Sequence, residues 1–115
     1  MSSATRSYPD LHEHLEKLDR AGLLLRIDEP VNKDTELHPL VRWQFLGGLD
    51  EADRKAFLFT NIVDGTGRRF DLPLVVGALA ANADIYAVGM GVAVEGIQAK
   101  WADAIANPIP PRMVN

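Results

Sequence analysis

Apolar residues recur at helical spacing near the start of the chain, which predicts a helix with one buried stripe. Ser7 is expected to cap this helix, with Pro9 in the first turn and Asp10 completing a capping-box-like pair. The helix is expected to extend to about Ala21, and Gly22 is the predicted stop. The buried stripe recurs at i, i+4 and i+7 and consists of Leu11, Leu15 and Leu18.

A second helical pattern extends from about Glu36 to Leu46. Thr35 or Asp34 supplies its predicted cap, which places Pro39 in the first turn, where backbone N–H groups have no partners within the helix anyway. Gly47-Gly48 ends the pattern. Its apolar face contains Leu37, Leu40, Val41 and Phe45.

Two further helices are predicted near the end of the chain. The third helix extends from Asn82 to about Met90 and stops at Gly91. The fourth extends from Val94 to Ala106, and the proline-rich segment after Asn107 ends it. Its apolar stripe consists of Ile97, Trp101 and Ile105.

Three apolar runs are too short for helices and predict strands at Leu23–Ile27, Ala56–Ile62 and Leu72–Leu79. The third run is almost continuously apolar, which is typical of a strand covered on both faces. The second and third runs can pair as a hairpin with a long connection that includes the loop from Asp64 to Arg69. The pattern therefore predicts a small α/β (α+β) domain with a mixed sheet of about three strands and about four helices.

The composition narrows the class of protein. With 115 residues, 47% hydrophobic and 24% charged, the chain fits one folded domain, predicted at residues 8–107 between a flexible terminus at 1–7 and a proline-rich exit at 108–115. A net charge of −4 with interspersed basic residues argues against nucleic acid, and no apolar run is long enough for a membrane span. The absence of cysteine excludes disulfides and thiolate chemistry and fits a cytoplasmic location.

Histidines and carboxylates offer no clear metal or acid/base site. His12 and His14 lie two residues apart on a helix and point about 200° away from each other, unlike the i, i+4 pair of a zinc helix. They are interpreted as solvated histidines, and His38 lies on a different helix. The carboxylates lie on helix faces and turns, where solvation explains them.

The glycines suggest two phosphate-binding motifs, and neither is complete. Gly89-Met90-Gly91 lacks the third glycine of a dinucleotide fingerprint, because position 94 is Val94. Gly65-Thr66-Gly67 with Arg68 and Arg69 can cradle an anion, but it lacks the pattern of a P-loop, and a plain hairpin loop is the favoured interpretation.

The two tryptophans, Trp43 and Trp101, lie in amphipathic helices. An aromatic residue in that position normally fills a core or a helix seam. The alternative is that the tryptophans mark an interface.

Six pieces of the chain, in order, resemble the amino-terminal domain of the UbiD-type decarboxylases. The resemblance covers about Tyr8 to Pro111. The pieces are Tyr8-x-Asp10-Leu11 with Gly22–Asp28, Val31 with Glu36-Leu37, Ala56–Phe59 with Asn61-Ile62, Pro73–Gly77, Trp101 with Ala104-Ile105, and Asn107–Pro111.

The chain departs from the family at one loop. After Gly77 the family usually continues with an asparagine, a glycine and a basic residue, whereas this chain reads Ala78-Leu79-Ala80-Ala81-Asn82-Ala83-Asp84. The segment from Trp43 to Arg54 also matches little. Any ligand-linked role of the loop in the family does not transfer to this chain.

The resemblance implies a reversible, non-oxidative decarboxylase of aromatic or α,β-unsaturated acids that uses prenylated flavin mononucleotide (prenylated FMN) with a divalent metal and potassium. In the family, the catalytic glutamate-arginine-glutamate set and the cofactor ligands lie beyond this first domain. No catalytic, cofactor-binding or metal-binding residue is therefore assigned in this chain, and the chain alone is expected to be inactive and to bind no cofactor.

The leading hypothesis is an amino-terminal structural or assembly domain, or a small subunit, that packs against the cofactor-bearing remainder of an oligomeric UbiD-type enzyme. The residues up to Asn115 are compatible with either arrangement. The alternative is a freestanding protein-interaction module of the same fold. A third, weaker hypothesis is a small-molecule-binding protein that uses the loop from Asp64 to Arg69 and the Asn82 turn.

Overall fold

The computed structural model describes residues 10–114. Four helices and six short strands make up this part of the chain. The helices are α1 (Leu11–Arg20), α2 (Leu37–Trp43), α3 (Ala83–Met90) and α4 (Ile97–Ala106). The strands are β1 (Leu24–Ile27), β2 (Val31–Asn32), β3 (Ala56–Phe59), β4 (Ile62–Val63), β5 (Arg69–Phe70) and β6 (Leu74–Val76).

The strands form two small mixed sheets of three strands each, so the predicted α/β class is confirmed. In the first sheet, β3 lies between β1, with which it is parallel, and β6, with which it is antiparallel. In the second sheet, β4 lies between β2 and β5. It is parallel to β2 and antiparallel to β5. The antiparallel pairing of the second and third predicted strands is thereby confirmed.

The first sheet separates two apolar cores, because successive side chains along its strands point to opposite faces. One face packs against α1 and α3, with Leu18 and Ile85 fully buried beside Ala56. The opposite face packs against α2, where Leu37, Leu40 and Val41 cover Phe57 and Phe59. The sheet is therefore a layer between helices on its two sides.

The first helix begins later than the sequence suggested. Asp10 is its N-cap, because the Asp10 side chain accepts a hydrogen bond from Glu13 N at 3.0 Å. The prediction that Ser7 caps the helix is therefore wrong. Ser7, Pro9 and the predicted flexible terminus at 1–7 lie outside the described residues.

The start of α2 is organised by side chains that the sequence did not indicate. Neither Thr35 nor Asp34 caps the helix, and the prediction of a cap there is wrong. Asn32 Oδ1 instead accepts from Asp34 N at 2.8 Å, and Glu36 Oε1 accepts from Asn32 N at 3.0 Å. Pro39 occupies the third position of the helix, as expected. After α2 the chain turns through Gln44–Gly48, where Leu46 leaves the helical conformation and Gly47 is left-handed with φ +103°.

Two of the three strand predictions differ in extent from the structure. The run Ala56–Ile62 is divided, because β3 belongs to the first sheet and Ile62 begins β4 in the second. The run Leu72–Leu79 gives only β6 (Leu74–Val76), at a sheet edge, so the strand is shorter than expected. Val75 packs against one core and Leu74 and Val76 pack against the other, so both faces of this short strand are covered. Pro73 precedes β6, and Gly77 follows it with φ +78°, which ends the extended backbone on both sides.

The fourth helix extends away from the rest of the fold. The predicted stretch from Val94 begins as a 3-10 turn, and α4 itself ends at Ala106 as expected, with Asn107 as its C-cap. No residue of α4 is buried. The radius of gyration is 17.1 Å, whereas a compact domain of this length has about 13 Å. Within residues 10–114, no helix combines the length and apolar character needed to cross a bilayer.

Candidate functional site

His14 is a fully buried structural residue and not a solvated histidine. Its Nε2 lies 2.6 Å from the carbonyl oxygen of Ala78, in the turn after β6. The expectation of a solvated side chain is wrong because His14 lies four residues before the fully buried Leu18, on the same face of α1. Leu11, which was expected on the buried stripe, is 50% exposed, so that part of the prediction is wrong. His12 is exposed, as expected, and His38 is exposed on α2. Within residues 10–114, no group of three histidine or carboxylate side chains could hold a metal ion.

The loop between β4 and β5 uses its own carboxylates to bind its backbone amides. Asp64 Oδ1 accepts from Thr66 N at 2.9 Å and from Arg68 N at 3.0 Å, and Asp34 Oδ2 accepts from Gly65 N at 2.8 Å. These amides are therefore not directed at an external anion, which favours the hairpin-loop interpretation.

The carboxylates of that loop are stabilised in their ionised form. The Thr66 hydroxyl, together with backbone N–H groups, holds the pKa of Asp64 below its ordinary value. Lys33 and the Gly65 amide lower the pKa of Asp34 in the same way. The two carboxylates thus act as structural hydrogen-bond acceptors of an exposed loop.

Asp28 holds the carboxyl ends of the parallel strands β1 and β3 together. Its Oδ1 accepts from Arg26 Nε at 2.9 Å and from the Thr60 hydroxyl. The Thr60 hydrogen bond, and after it the Arg26 hydrogen bond, lowers the pKa of the Asp28 carboxyl. Ligands of α/β proteins often bind at this edge of a sheet. Here the polar side chains are bonded to one another.

The Gly89-Met90-Gly91 sequence forms a helix end. Met90 is the last residue of α3, and Gly91 follows it in the left-handed conformation with φ +71°. This is a common helix C-terminus and not a phosphate-binding loop.

Both tryptophans are about half exposed, at 52% for Trp43 and 49% for Trp101, so neither fills the core. Trp43 lies against Gly48, where a Cβ would have no room. Trp101 donates a hydrogen bond from Nε1 to the Tyr86 hydroxyl at 2.6 Å, which attaches α4 to α3.

An apolar surface continues from Trp101 along α4 into the segment that follows. Ile105 is 74% exposed, and Ile109 is 73% exposed. Trp101 and Ile105 lie four residues apart on α4, and Ile109, Met113 and Val114 lie beyond the end of the helix and are also exposed. We call Trp101, Ile105 and Ile109 the α4 surface. Contiguous exposed apolar patches mark interaction sites more often than solvated faces, and Trp101 and Ile105 lie about one helical turn apart on α4.

Comparison with known proteins gives one family and a consistent set of structures. Residues 15–105 match the model of the 3-octaprenyl-4-hydroxybenzoate carboxy-lyase N-terminal domain. The structure is similar to an evolved dimeric form of the UbiD-class enzyme HmfF from Pelotomaculum thermopropionicum in complex with prenylated FMN, with a TM-score of 0.64 and 28% identity. It is also similar to HmfF from the same organism in complex with FMN, with a TM-score of 0.63 and 29% identity.

A third structure shares the fold at lower identity. Vanillic acid decarboxylase from Sedimentibacter hydroxybenzoicus gives a TM-score of 0.67 at 23% identity, over 93% of this chain and 22% of that chain. The two HmfF matches cover 90% of this chain and 21% and 20% of the HmfF chains. The chain thus spans about one fifth of the length of these enzymes. No curated protein sequence matches it.

Proposed function

The chain belongs to the family of 3-octaprenyl-4-hydroxybenzoate carboxy-lyase N-terminal domains, and from this premise we propose that it is the structural or assembly domain, or the small subunit, of a UbiD-type decarboxylase. Residues 8–107 form the domain in this proposal, and residues 108–115 are the exit toward the partner. The complete enzyme acts without oxidation on an aromatic or α,β-unsaturated acid in the cytoplasm. Its catalytic residues lie outside this chain.

The α4 surface is the single observation that carries the assembly role. A helix with apolar residues on most of its circumference is normally buried, yet no residue of α4 is buried by the chain itself. Only Gln98, Lys100 and Asp103 are polar among its ten residues. Covering Trp101, Ile105 and Ile109 with a larger apolar surface would remove them from water, which is the main driving force of association.

The cofactor belongs to the partner in this proposal. Prenylated FMN or FMN is present in the similar HmfF structures, and the complete enzyme is proposed to use prenylated FMN with a divalent metal and potassium. The polar side chains described above bind one another or backbone groups, so no step of decarboxylation is derived from them. This chain contributes by packing against the cofactor-bearing portion and fixing its geometry.

Co-expression of the 115-residue chain with the cofactor-bearing portion of a UbiD-type enzyme tests the proposal. The native mass should show a stable complex of the two, and prenylated FMN should bind to the complex. The isolated chain should leave the absorption spectrum of prenylated FMN unchanged. Tight cofactor binding by the chain alone contradicts the proposal. A native source that yields no complex with a larger UbiD-type protein favours the freestanding interaction module instead.

A further inference from the structure

The fourth helix is held against the rest of the domain mainly at its first turn. Ile97 and Gln98 are half-buried there, and residues 99–106 are all exposed. A surface helix normally buries one apolar stripe along its whole length. The orientation of α4 therefore depends on the packing of its first turn and on any side-chain contact beyond it.

The packing around the first turn of α4 is loose. A surface cavity of about 350 Å³ is lined by Tyr86 and Ile97, among others, where α3 approaches α4. A second cavity of about 500 Å³ is lined in part by Ala87, Val88 and residues 92–95, which belong to α3 and to the connection between the two helices. Elements with few buried apolar contacts change position most easily. Packing at its base therefore does not by itself fix the direction of α4.

One side-chain hydrogen bond holds α4 beyond its first turn. Trp101, the fifth residue of α4, donates from Nε1 to the Tyr86 hydroxyl at 2.6 Å. Within residues 10–114, no other side-chain hydrogen bond and no ion pair joins α4 to another helix or strand. Tyr86 lies on α3, whose own position is fixed by the buried side chains of Ile85 and Ala87. The Tyr86 hydroxyl is therefore a fixed point that orients α4.

We propose that Tyr86 is a positioning residue for assembly, whose hydroxyl holds α4 in the orientation in which the α4 surface meets the partner. This proposal rests on the proposed function, because it concerns the same surface. Tyr86 is half-buried on α3 and lies outside the α4 surface. Loss of its hydroxyl should therefore leave the residues of that surface intact and change only how the helix is oriented.

The effect of this hydrogen bond on partner binding has an expected size. A neutral hydrogen bond shifts an equilibrium, here between attached and detached α4, by about two- to tenfold. A partner that binds only the attached form has an affinity lowered by the fraction of chains in that form. Tyr86→Phe should therefore weaken partner binding by about twofold or more, and by no more than about tenfold. The association rate should fall while the dissociation rate stays the same, because the variant lacks the hydrogen bond both in the attached free chain and in the complex.

Distance measurements on the isolated 115-residue chain test the orientation of α4 without a partner. The chain contains no cysteine, so Glu16→Cys on α1 and Ala102→Cys on α4 place two spin labels at exposed positions. Double electron–electron resonance should give a narrow distribution of distances between the labels. Tyr86→Phe should broaden this distribution, and so should Trp101→Phe. Tyr86→Phe should cause no further broadening when Trp101→Phe is already present, because both substitutions remove the same hydrogen bond.

The matched control for the distance measurement is Trp43→Phe. Trp43 is exposed to a similar extent as Trp101 but lies on α2, so its replacement should leave the distribution narrow. An unchanged distribution in Tyr86→Phe would overturn the proposal. An effect of Tyr86→Phe that persists in the Trp101→Phe background would also overturn it, since Tyr86 would then act through a different contact.

Binding kinetics test the role of Tyr86 in assembly. Surface plasmon resonance of the unsubstituted chain and of Tyr86→Phe, each with the cofactor-bearing portion of a UbiD-type enzyme, separates the association rate from the dissociation rate. Tyr86→Phe should associate more slowly and dissociate at the same rate. An unsubstituted chain that binds no partner contradicts the proposed function. A complex that forms with equal association rates for the two chains overturns only the role of Tyr86.

Discussion

The imidazole of His14 connects α1 to the turn after β6, with Nε2 2.6 Å from the carbonyl oxygen of Ala78. His14 is completely buried, and its neighbour along the helix stripe, Leu18, is buried in the same core. His14 and Ala78 are 64 positions apart in the chain. This hydrogen bond therefore fixes the long loop from Gly77 to Asn82 onto the first helix.

Replacement of His14 by alanine should lower the free energy of unfolding by about 2–4 kcal/mol, because it leaves a cavity and an unpaired carbonyl at Ala78. Chemical denaturation of the two proteins measures the difference. His12→Ala is the control, since His12 is exposed on the same helix, and it should change stability by less than about 0.5 kcal/mol. Equal effects of the two substitutions would show that the hydrogen bond of His14 contributes nothing.

A second buried polar side chain, that of Gln44, gives another stability prediction. Gln44 is almost fully buried, and its side chain binds both backbone groups of Lys55, with Nε2 2.9 Å from Lys55 O and Oε1 2.9 Å from Lys55 N. Gln44→Leu keeps the size of the side chain and removes both hydrogen bonds. The free energy of unfolding should therefore fall by about 1–3 kcal/mol. Gln98→Leu on the exposed α4 should leave the denaturation midpoint unchanged. An unchanged free energy of unfolding in Gln44→Leu would show that the two hydrogen bonds contribute nothing to stability.

The sequence predicted the helices better than the polar residues that join them. Local patterns, such as the stripe of Leu15 and Leu18 and the glycines that end helices, predicted which elements form and in which order. Helical periodicity depends on local spacing, so the sequence alone contains it. His14 was assigned to solvent although it lies on that stripe. Its buried partner, Ala78, is brought near by tertiary packing, and local spacing contains no information about it.

The same limit explains the strand and surface predictions that proved wrong. The apolar run from Leu72 to Leu79 reads as a buried strand, yet only three residues pair, and Leu72 and Leu79 are 79% and 67% exposed. Trp101 was expected in a core or a helix seam for the same reason, and it is 49% exposed. An apolar residue that is covered by a partner protein has the same sequence pattern as one that is buried in the core of its own chain. The hydrogen bonds of Asn32 with Asp34 and Glu36 are local, and they were missed because several polar residues compete for the start of α2.

The ionisation of Asp28 gives a pH-dependent prediction. The Thr60 hydroxyl and then Arg26 lower its pKa below the ordinary 3.8. A lowered pKa in the folded state means that the ionised Asp28 stabilises the fold above its ordinary pKa. This contribution is lost as the pH falls below 3.8 and through the folded-state pKa.

Thr60→Val should therefore raise the pKa of Asp28 toward its ordinary value, because the largest cause of the shift is removed. Carbon-13 NMR of the side-chain carboxyl as a function of pH measures it. Thr66→Val is a reciprocal control, since the Thr66 hydroxyl is the largest cause of the lowered pKa of Asp64. It should move the titration of Asp64 and leave that of Asp28 in place. An unchanged Asp28 titration in Thr60→Val would contradict the assigned hydrogen bond.

Substitution on the α4 surface should separate assembly from folding. Ile105 is 74% exposed, so Ile105→Asp should change the stability of the isolated chain by no more than about 0.5 kcal/mol. In the complex with a cofactor-bearing partner, the same substitution would bury an unpaired carboxylate, which is strongly unfavourable. Binding should therefore weaken by about tenfold or more, measured by calorimetry of the two purified components. Ala99→Asp adds the same charge to α4 about 120° around the helix from Ile105, and it should weaken binding much less. Equal losses from the two variants would show that the Ile105 face is not the one that contacts the partner.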